Sequence, residues 1–309
     1  MADVLISEFM DRGVAEGLIS EFDTYWDPDL WGKRDELKSR IASAKAIVVR
    51  NGTLVDVDLL DAAPNLKVVA RMGVGLDTID VAACNARGIE VCPSIGANAV
   101  SVAEYVIASA MILLRGPTYF ATLDVAAGAW DRPKFAGSTE IAGRVMGIVG
   151  FGSIGQVVGD KARGMGMEVI AYDAMMSDDH PAWADARRVD LDALVAEADV
   201  ISLHCPKLPE TIDLIDKRQF ERMKPEAVLV NSARGGIVNE KDCAEALRSA
   251  QLAGAALDTL DVEPITAEVG AMFQGIENLI LTPHVAGVTK ESNRRIAEVA
   301  AQNVRRVLG

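Results

Sequence analysis

Short apolar runs rich in valine and isoleucine alternate with stretches of helical period along the whole chain. Most of these runs are continuously apolar, which is typical of strands buried on both faces of a parallel sheet. Their alternation with helices predicts an α/β protein built of doubly wound, Rossmann-like parallel sheets. The runs predicted as strands are residues 4–9, 46–50, 67–71, 90–93, 145–150, 168–173, 200–205, 227–233, 254–258 and 279–284.

Some helical stretches bear on how the chain is organised. The stretch 101–115 is apolar on most sides, so we expect it to be buried between two domains. The stretch 290–308 has an apolar face opposite a row of charged residues, and we expect that face to dock on the first domain. A helix within 189–199 is predicted to have Asp190 as its N-cap.

The length of 309 residues favours two domains of ordinary size, and half of the residues are apolar. Lys and Arg number 31 against 45 Asp and Glu, which leaves a net charge of −14. Such a charge argues against nucleic acid or an anionic membrane as the main partner. A small anionic substrate is still compatible, because a cleft sets its own local potential.

The four cysteines have neither the spacing of a metal site nor the density of a secreted disulfide scaffold. We expect inert thiols in a reducing compartment, and no metal site in a chain with three histidines. The N-terminus shows no secretory pattern, and the longest apolar run, 106–114, is too short to cross a membrane. These features predict a cytoplasmic protein.

The segment 144–173 carries the pattern of a dinucleotide site: strand, glycine triplet, helix, second strand and a terminal acid. Gly150 permits the tight turn, Gly152 allows close approach of a pyrophosphate, and Gly155 allows helix and strand to pack. The following helix start, at Ser153 and Ile154, offers N–H groups to the phosphates. The alternative is a turn whose glycines match by coincidence.

Asp173 ends the second strand and is expected to accept hydrogen bonds from both ribose hydroxyls of the adenosine. A 2′-phosphate would meet this carboxylate, and residues 174–176 supply no arginine, so the cofactor is predicted to be NAD. A second glycine pair flanks Val74 and lacks the third glycine. The backbone N–H groups of Val74 and Gly75 are candidates for holding a small carboxylate.

Oxidation of a carbinol by hydride transfer also needs a base that takes the hydroxyl proton, normally a histidine. His180 lies in a polar stretch that is typical of solvated surface. His204 ends a predicted strand and is either a core imidazole or a catalyst. His284 ends the last strand and precedes a small, glycine-containing segment, so it is the preferred acid–base candidate.

Two more charged residues follow strands in this half of the chain. Arg234 precedes two glycines, and its guanidinium is suited to hold a 2-keto carboxylate and polarise the carbonyl. Glu263 follows the next strand, and a carboxylate on the far nitrogen of His284 would fix its tautomer and favour its protonated form.

At this point the chain resembles the NAD-dependent D-2-hydroxyacid dehydrogenases over essentially its whole length. The resemblance implies that Arg234 binds the substrate carboxylate and carbonyl, that Glu263 supports the histidine, and that His284 exchanges the proton. It also implies that Asp258 contacts the nicotinamide carboxamide. Further cofactor contacts implied by the resemblance are Ser101, Cys205, Pro206, Thr211 and Ala233. The segments that carry it are 71–80, 98–105, 147–156, 202–211, 230–240, 256–264 and 282–287.

The same resemblance implies a substrate domain of residues 1–98, completed by 287–309, and an NAD-binding domain of residues 99–286. A deep cleft between them would hold the active site. Residues 128–143 resemble the segment through which such enzymes form homodimers. The chain departs from the family at Lys207 and Leu208, which leaves the contacts at the adenine end open.

Arg71 precedes the glycine pair, and it is either a surface ion-pair residue or a ligand for the far end of the substrate. The second interpretation predicts an anionic group on C3 of the substrate, as in 3-phosphoglycerate or 3-sulfolactate. Glycerate with hydroxypyruvate is the alternative pair. A non-catalytic, NAD-sensing scaffold resembling the corepressor relatives of the family is an alternative of another class.

Overall fold

The structure is a computed structural model that describes residues 2–309. The chain divides into two compact units, Met1–Asn98 with Val288–Gly309, and Ala99–Gly287. Each unit has a parallel sheet flanked by helices, which confirms the predicted fold class. Within residues 2–309, no helix combines the length and apolarity that crossing a bilayer requires.

The strands vary from two to five residues and are mostly buried. In the described part of the chain they are β1 (Val4–Ile6), β2 (Thr24–Trp26), β3 (Ala46–Val49), β4 (Val68–Arg71), β5 (Glu90–Pro93), β6 (Val145–Val149), β7 (Glu168–Tyr172), β8 (Arg187–Arg188), β9 (Val200–Leu203), β10 (Val228–Asn231), β11 (Gly254–Leu257) and β12 (Leu279–Leu281).

The helices connect these strands and flank the two sheets. The α-helices are α1 (Arg12–Glu21), α2 (Arg34–Ile41), α3 (Val57–Asp61), α4 (Val81–Ala86), α5 (Ala99–Leu114), α6 (Thr122–Ala126), α7 (Ser153–Gly164), α8 (Leu191–Glu197), α9 (Lys217–Arg222), α10 (Glu240–Arg248), α11 (Ala267–Gly270) and α12 (Lys290–Leu308). Short 3-10 helices cover Leu30–Gly32, Gly116–Phe120, Arg132–Phe135, Pro181–Asp185, Pro209–Thr211 and Ala271–Phe273.

The sheet of the first unit has the order β2-β1-β3-β4-β5, and its strands pair in parallel. Its two faces carry separate apolar cores. One core includes the apolar face of α12, where Ile296, Ala300 and Val304 are buried together with Val68 and Ala70 of β4. The last helix therefore belongs to the core of the first unit.

The sheet of the second unit has the order β12-β11-β10-β9-β6-β7-β8. Strand order reverses between β6 and β9, because β6 to β8 extend to one side and β9 to β12 to the other. Ligands of open parallel sheets bind at the carboxyl ends of the strands beside such a reversal. Helix α5 packs against α7 and over β10 and β11, which buries Val106 and Ala110.

Most predicted strands extend too far at their carboxyl ends. The strand expected over 200–205 ends at Leu203, and the one expected over 279–284 ends at Leu281. The trimmed residues leave the sheet as loops at its carboxyl edge. Strands β2 and β8 lack a predicted counterpart, because β2 is only half-buried and β8 has two exposed arginines. The Asp190 N-cap is confirmed, since its carboxylate accepts the Ala193 N–H at 2.7 Å.

Candidate active site

The glycine turn after β6 is packed so closely that side chains are excluded at two positions. Gly150 has a φ of 89°, and a Cβ there would lie 2.7 Å from the backbone nitrogen of Cys205. A Cβ on Gly155 would overlap the carbonyl oxygen of Gly150. These two glycines let β6, the start of α7 and the end of β9 meet at the reversal of strand order.

Gly152 has a different role, because a Cβ built there would meet nothing within 4 Å. It is the N-cap residue of α7 and has no side chain to cap the helix. The first-turn N–H groups at Ser153 and Ile154 therefore have no side-chain cap at the positive end of the helix dipole. This arrangement fits the pyrophosphate of a dinucleotide.

Asp173 links the end of β7 to the glycine turn. Its Oδ2 accepts the N–H of Phe151 at 2.8 Å, and its Oδ1 accepts those of Met175 and Met176 at 2.8 and 3.0 Å. A carboxylate has about four acceptor positions, so about one remains for a ligand. The loop backbone thus occupies most of the carboxylate, and the expected bonds to the ribose hydroxyls would have to share its remaining acceptor position.

A cavity of about 420 Å³ opens beside this carboxylate and is lined by Tyr172, Asp173, Ala174, Arg188, Val189 and Asp190. Sequence reasoning missed Arg188, because it considered only the residues next to Asp173. Strand β8 brings it in, because Arg188 pairs with Ala171 of β7. Its guanidinium pairs with Asp178 and lies 5.1 Å from the Trp183 ring centroid.

His204 is held as a neutral imidazole. Its Nε2 lies 2.7 Å from Ser202 Oγ, and its solvent-shielded Nδ1 has no hydrogen-bond partner among the described residues. Burial lowers the pKa of His204 to about 3, so the ring stays neutral near pH 7. Of the two alternatives for this residue, the core imidazole fits the structure. His180 is half-buried rather than fully solvated, and its Nδ1 accepts the Ala182 N–H at 3.2 Å.

The loop that follows β9 carries three of the expected cofactor contacts. Burial raises the pKa of the Cys205 thiol to about 11, so it stays protonated. The Thr211 hydroxyl donates to the Pro206 carbonyl at 2.7 Å and accepts the Leu208 N–H at 2.7 Å. Thr211 therefore shapes this loop. Ser101, also expected to contact the cofactor, is buried in the first turn of α5 with 5% of its surface exposed.

Arg234 lies in a turn that is organised by the last residue of β10. The Asn231 side-chain amide donates to the Arg234 carbonyl at 2.9 Å and accepts the Ala233 N–H at 3.1 Å. Next to them, a Cβ on Gly235 would overlap the carbonyl of Leu260. Sequence reasoning missed Asn231 as the residue that organises this turn, although its place at a strand end could have marked it. Arg234 itself is half-buried, and one of its terminal nitrogens donates to the Ala233 carbonyl at 2.7 Å.

His284 and Glu263 form a direct pair, with 2.9 Å between Nδ1 and Oε2. The other Glu263 oxygen, Oε1, accepts the Leu260 N–H at 2.9 Å, which fixes the carboxylate. Because a carboxylate is an acceptor, the proton is assigned to Nδ1, and Nε2 is left to exchange a proton with a ligand. The His284 side chain is 49% exposed, so a ligand can reach it.

The backbone of His284 lies in the left-handed region, with a φ of 55°. Its N–H donates to the carbonyls of Asp258 and Thr282 at 2.8 and 3.0 Å. The Asp258 carboxylate also accepts the Thr282 hydroxyl at 2.6 Å and the N–H groups of Val285 and Ala286 at 2.8 and 2.9 Å. Asp258 is buried, with 1% exposed, and its observed role is to hold the loop that carries His284. The implied contact to the nicotinamide would have to use its remaining acceptor position.

Arg234, Glu263 and His284 follow β10, β11 and β12, which are neighbours in the sheet and parallel. The three side chains therefore belong to the same edge of the sheet as the glycine turn. This edge of the sheet therefore carries a base (His284), the carboxylate that bonds to the base (Glu263) and a guanidinium (Arg234), all in the loops that follow neighbouring strands.

The remaining candidates lie in the first unit and form a turn after β4. Arg71 is 8% exposed, its Nε donates to the Gly75 carbonyl at 3.0 Å, and a terminal nitrogen donates to the Met72 carbonyl at 2.5 Å. Arg71 is therefore a buried residue of this turn rather than a solvated surface residue. Val74 and Gly75 are half-buried in the turn that this guanidinium organises. Among the described residues, no group of three or more His, Cys, Asp and Glu is arranged to hold a metal ion.

Comparison with known proteins defines the class. Residues 107–286 match the NAD-binding domain of the D-isomer-specific 2-hydroxyacid dehydrogenases. The chain is 45% identical to the (S)-sulfolactate dehydrogenase of Chromohalobacter salexigens, over 100% of this chain and 99% of that one. It is 38% identical to the D-3-phosphoglycerate dehydrogenase of Archaeoglobus fulgidus over 88% of this chain, but spans only 51% of that protein. The solved structure of the TT0316 protein of Thermus thermophilus superimposes with a TM-score of 0.84 at 30% identity, covering 99% of this chain and 96% of that one.

The chain thus belongs to the D-isomer-specific 2-hydroxyacid dehydrogenase family. It is an oxidoreductase that acts on the CH–OH group of a 2-hydroxy acid, and its cofactor is NAD. The family, the type of reaction and the cofactor predicted from the sequence are confirmed.

Proposed function

We propose that this enzyme interconverts a D-configured 2-hydroxy acid bearing an anionic group on C3 and its 2-keto acid, with 3-sulfolactate as the preferred substrate. The 2.9 Å pair of His284 and Glu263 is the observation that carries the catalytic part of this proposal. The full-length likeness to a sulfolactate dehydrogenase supports the choice of substrate. In this proposal residues 1–98 and 287–309 bind the substrate, and residues 99–286 bind NAD.

Bound NAD supplies the acceptor for the hydride that leaves C2 of the hydroxy acid. As the C2–H bond breaks, His284 Nε2 takes the hydroxyl proton and the C2–O bond becomes a carbonyl. Glu263 stabilises the imidazolium that forms and keeps its ring oriented. Arg234 holds the substrate carboxylate and polarises the C2 oxygen through its guanidinium. In the reverse direction, protonated His284 donates the same proton to the carbonyl oxygen.

The stereochemical labels of the two kinds of relative agree. D-Lactate has the R configuration, with its carboxyl carbon ranked above its methyl group. A sulfonate on C3 gives that carbon priority over the carboxyl carbon, so the same spatial arrangement is then labelled S. An (S)-sulfolactate therefore has the D-like geometry that a D-isomer-specific family handles.

Two arginines at neighbouring strand ends support a negatively charged substrate. Arg71 ends β4, and Arg50 follows β3, whose Val49 pairs with Arg71 in the sheet. Arg50 is half-buried and donates to Asn293 Oδ1 at 2.9 Å. Cations at the carboxyl edge of this sheet suit a substrate with a second anion. The same cations fit 3-phosphoglycerate, and glycerate with hydroxypyruvate is the uncharged alternative.

The protein is further proposed to act as a cytoplasmic homodimer. All four cysteines are free thiols, as suits a reducing compartment. The segment around the 3-10 helices Gly116–Phe120 and Arg132–Phe135 exposes large apolar side chains, with Leu123 82% and Trp130 79% exposed. A second copy covering this segment would remove them from water.

The test compares 3-sulfolactate, 3-phosphoglycerate and glycerate as substrates with NAD. We expect turnover of 3-sulfolactate, and loss of activity by roughly 10²- to 10⁴-fold in a His284→Asn variant whose NAD affinity is retained. Asn is chosen because it tolerates the left-handed backbone at this position. Arg71→Ala is expected to reduce kcat/KM roughly 10- to 100-fold more for the two charged substrates than for glycerate.

If Arg71→Ala reduced kcat/KM equally for all three substrates, Arg71 would not recognise the anion on C3. Near-normal turnover by the His284→Asn variant would exclude His284 from proton transfer. A wild-type protein that binds NAD but turns over no 2-hydroxy acid would favour the non-catalytic scaffold.

A further inference from the structure

The side chain of Lys207 forms an ion pair that its place in the sequence does not predict. It follows β9, beside the expected adenine end of the cofactor. Its ammonium group nevertheless lies 2.7 Å from Asp261 Oδ1, in the loop that follows β11. The ion pair therefore connects the loops of two strands that are separated in the sheet by β10.

The connection passes directly over the glycine turn of β10. A Cβ on Gly236 would lie 2.8 Å from Lys207 Nζ and 2.7 Å from Asp261 Oδ1. Gly236 also has a φ of 77°, a conformation that favours glycine. The absence of a side chain at Gly236 thus leaves the space through which Lys207 reaches Asp261.

Asp261 is part of the loop that delivers Glu263 to His284. The Asp261 N–H donates to Glu240 Oε1 at 2.5 Å, and the preceding N–H, of Leu260, donates to Glu263 Oε1 at 2.9 Å. This loop is therefore fixed by Lys207 and Glu240 at Asp261, and by its own glutamate at the residue before it. A shift of Asp261 would move the carboxylate that orients the imidazole.

The charges around this loop are unbalanced without Lys207. Glu240, Asp261 and Glu263 bring three carboxylates together. Burial raises the pKa of Glu240, the charges of Asp261 and Glu263 add to the rise, and Lys207 opposes it. Asp258 is close by but is bonded to the loop after β12. Lys207 is thus a cation that pairs with Asp261 and opposes the negative charge of this loop.

We propose that Lys207 is a positioning residue, which ties the β9 loop to the β11 loop and so holds Glu263 in register with His284. The inference rests on the proposed dehydrogenase function. The pair is solvent-accessible, with 39% and 57% of the two side chains exposed. Exposed ion pairs add little to folding stability, so its loss should be seen in catalysis rather than in the melting temperature.

The experiment measures kcat, KM and the pH midpoint of kcat for Lys207→Met, Lys207→Arg, Asp261→Asn and the Lys207→Met/Asp261→Asn double variant. Lys161→Met is the matched control, because it removes an exposed pair with Glu104 in the same unit. We expect kcat to fall about tenfold in Lys207→Met, with little change in KM for NAD, because a small misplacement of a catalytic group is costly. Lys207→Arg should recover most of the activity, and the control should match the wild type.

The pH midpoint separates a positioning role from general damage. Loss of the cation leaves the carboxylates of this loop unopposed, so the pH midpoint of kcat should rise in Lys207→Met. It should fall in Asp261→Asn and return towards the wild-type value in the double variant.

The proposal is overturned if Lys207→Met keeps kcat within about twofold of the wild type with an unchanged midpoint. It is also overturned if Lys207→Met and Lys207→Arg lose activity and melting temperature alike. Failure of the wild type to oxidise any 2-hydroxy acid would instead refute the proposed function. The two inferences are therefore tested separately.

Discussion

His204 should make the protein sensitive to mild acid. Its pKa is lowered from 6.5 to about 3 by burial, so protonation is far easier once the chain unfolds. A group with a lowered pKa in the folded state contributes its full stability above the unfolded value of 6.5. That contribution is lost progressively as the pH falls towards the folded value. Replacing His204 by Gln removes the titrating ring and keeps a polar atom in reach of Ser202.

The size of the effect follows from the two pKa values. Each pH unit between them changes the free energy of unfolding by about 1.4 kcal/mol. Integrated from pH 7 to pH 5, with an unfolded pKa of 6.5, the loss is about 2 kcal/mol. The wild type should lose this amount more than His204→Gln over the same interval.

The assay is urea unfolding at pH 7 and pH 5 for both proteins, without cofactor. Ser202→Ala is the control, because it removes the hydrogen bond to Nε2 and leaves the ring buried, so it should keep the pH dependence of the wild type. If His204→Gln lost as much stability as the wild type between the two pH values, the ring would not be buried and neutral as described.

Two further predictions concern the cofactor and the assembly. Asp173→Asn should raise the ratio of kcat/KM with NADP to that with NAD by at least about tenfold, because a repelling charge is removed while Arg188 still lines the same cavity. Adding Arg188→Met should lower this ratio again. An unchanged ratio in Asp173→Asn would show that Asp173 does not determine the preference for NAD over NADP. Leu123→Glu combined with Trp130→Glu should convert a dimer into a monomer in light scattering, since both side chains are largely exposed on one protomer. A variant that still runs as a dimer would place the interface elsewhere.

Much of the fold could be predicted from the sequence, because buried parallel strands consist of continuous apolar runs. The strands β3, β6 and β9 illustrate this, since all or nearly all of their residues are buried. The missed strands β2 and β8 lie at sheet edges, where burial is weaker and the pattern is lost. Strand ends were overestimated because apolar loop residues such as Cys205 continue the pattern beyond the last ladder bond.

The candidate site was predictable as far as strand ends place side chains on one edge. That reasoning brought Glu263 and His284 together, and the distance between them agrees with it. It did not reveal that loop backbones bond to the same side chains. The carboxylates of Asp173 and Asp258 are each bonded to two backbone N–H groups or more, which only the folded loops reveal. Arg188 enters from a strand too short to be recognised in the sequence.

The left-handed backbone of His284 has a consequence for the stability of its loop. A residue with a Cβ adopts this conformation at a cost of about 1–2 kcal/mol, which glycine would avoid. The imidazole is therefore held at this turn at the expense of folding free energy, and the bonds from the Asp258 carboxylate to the same loop offset part of that cost.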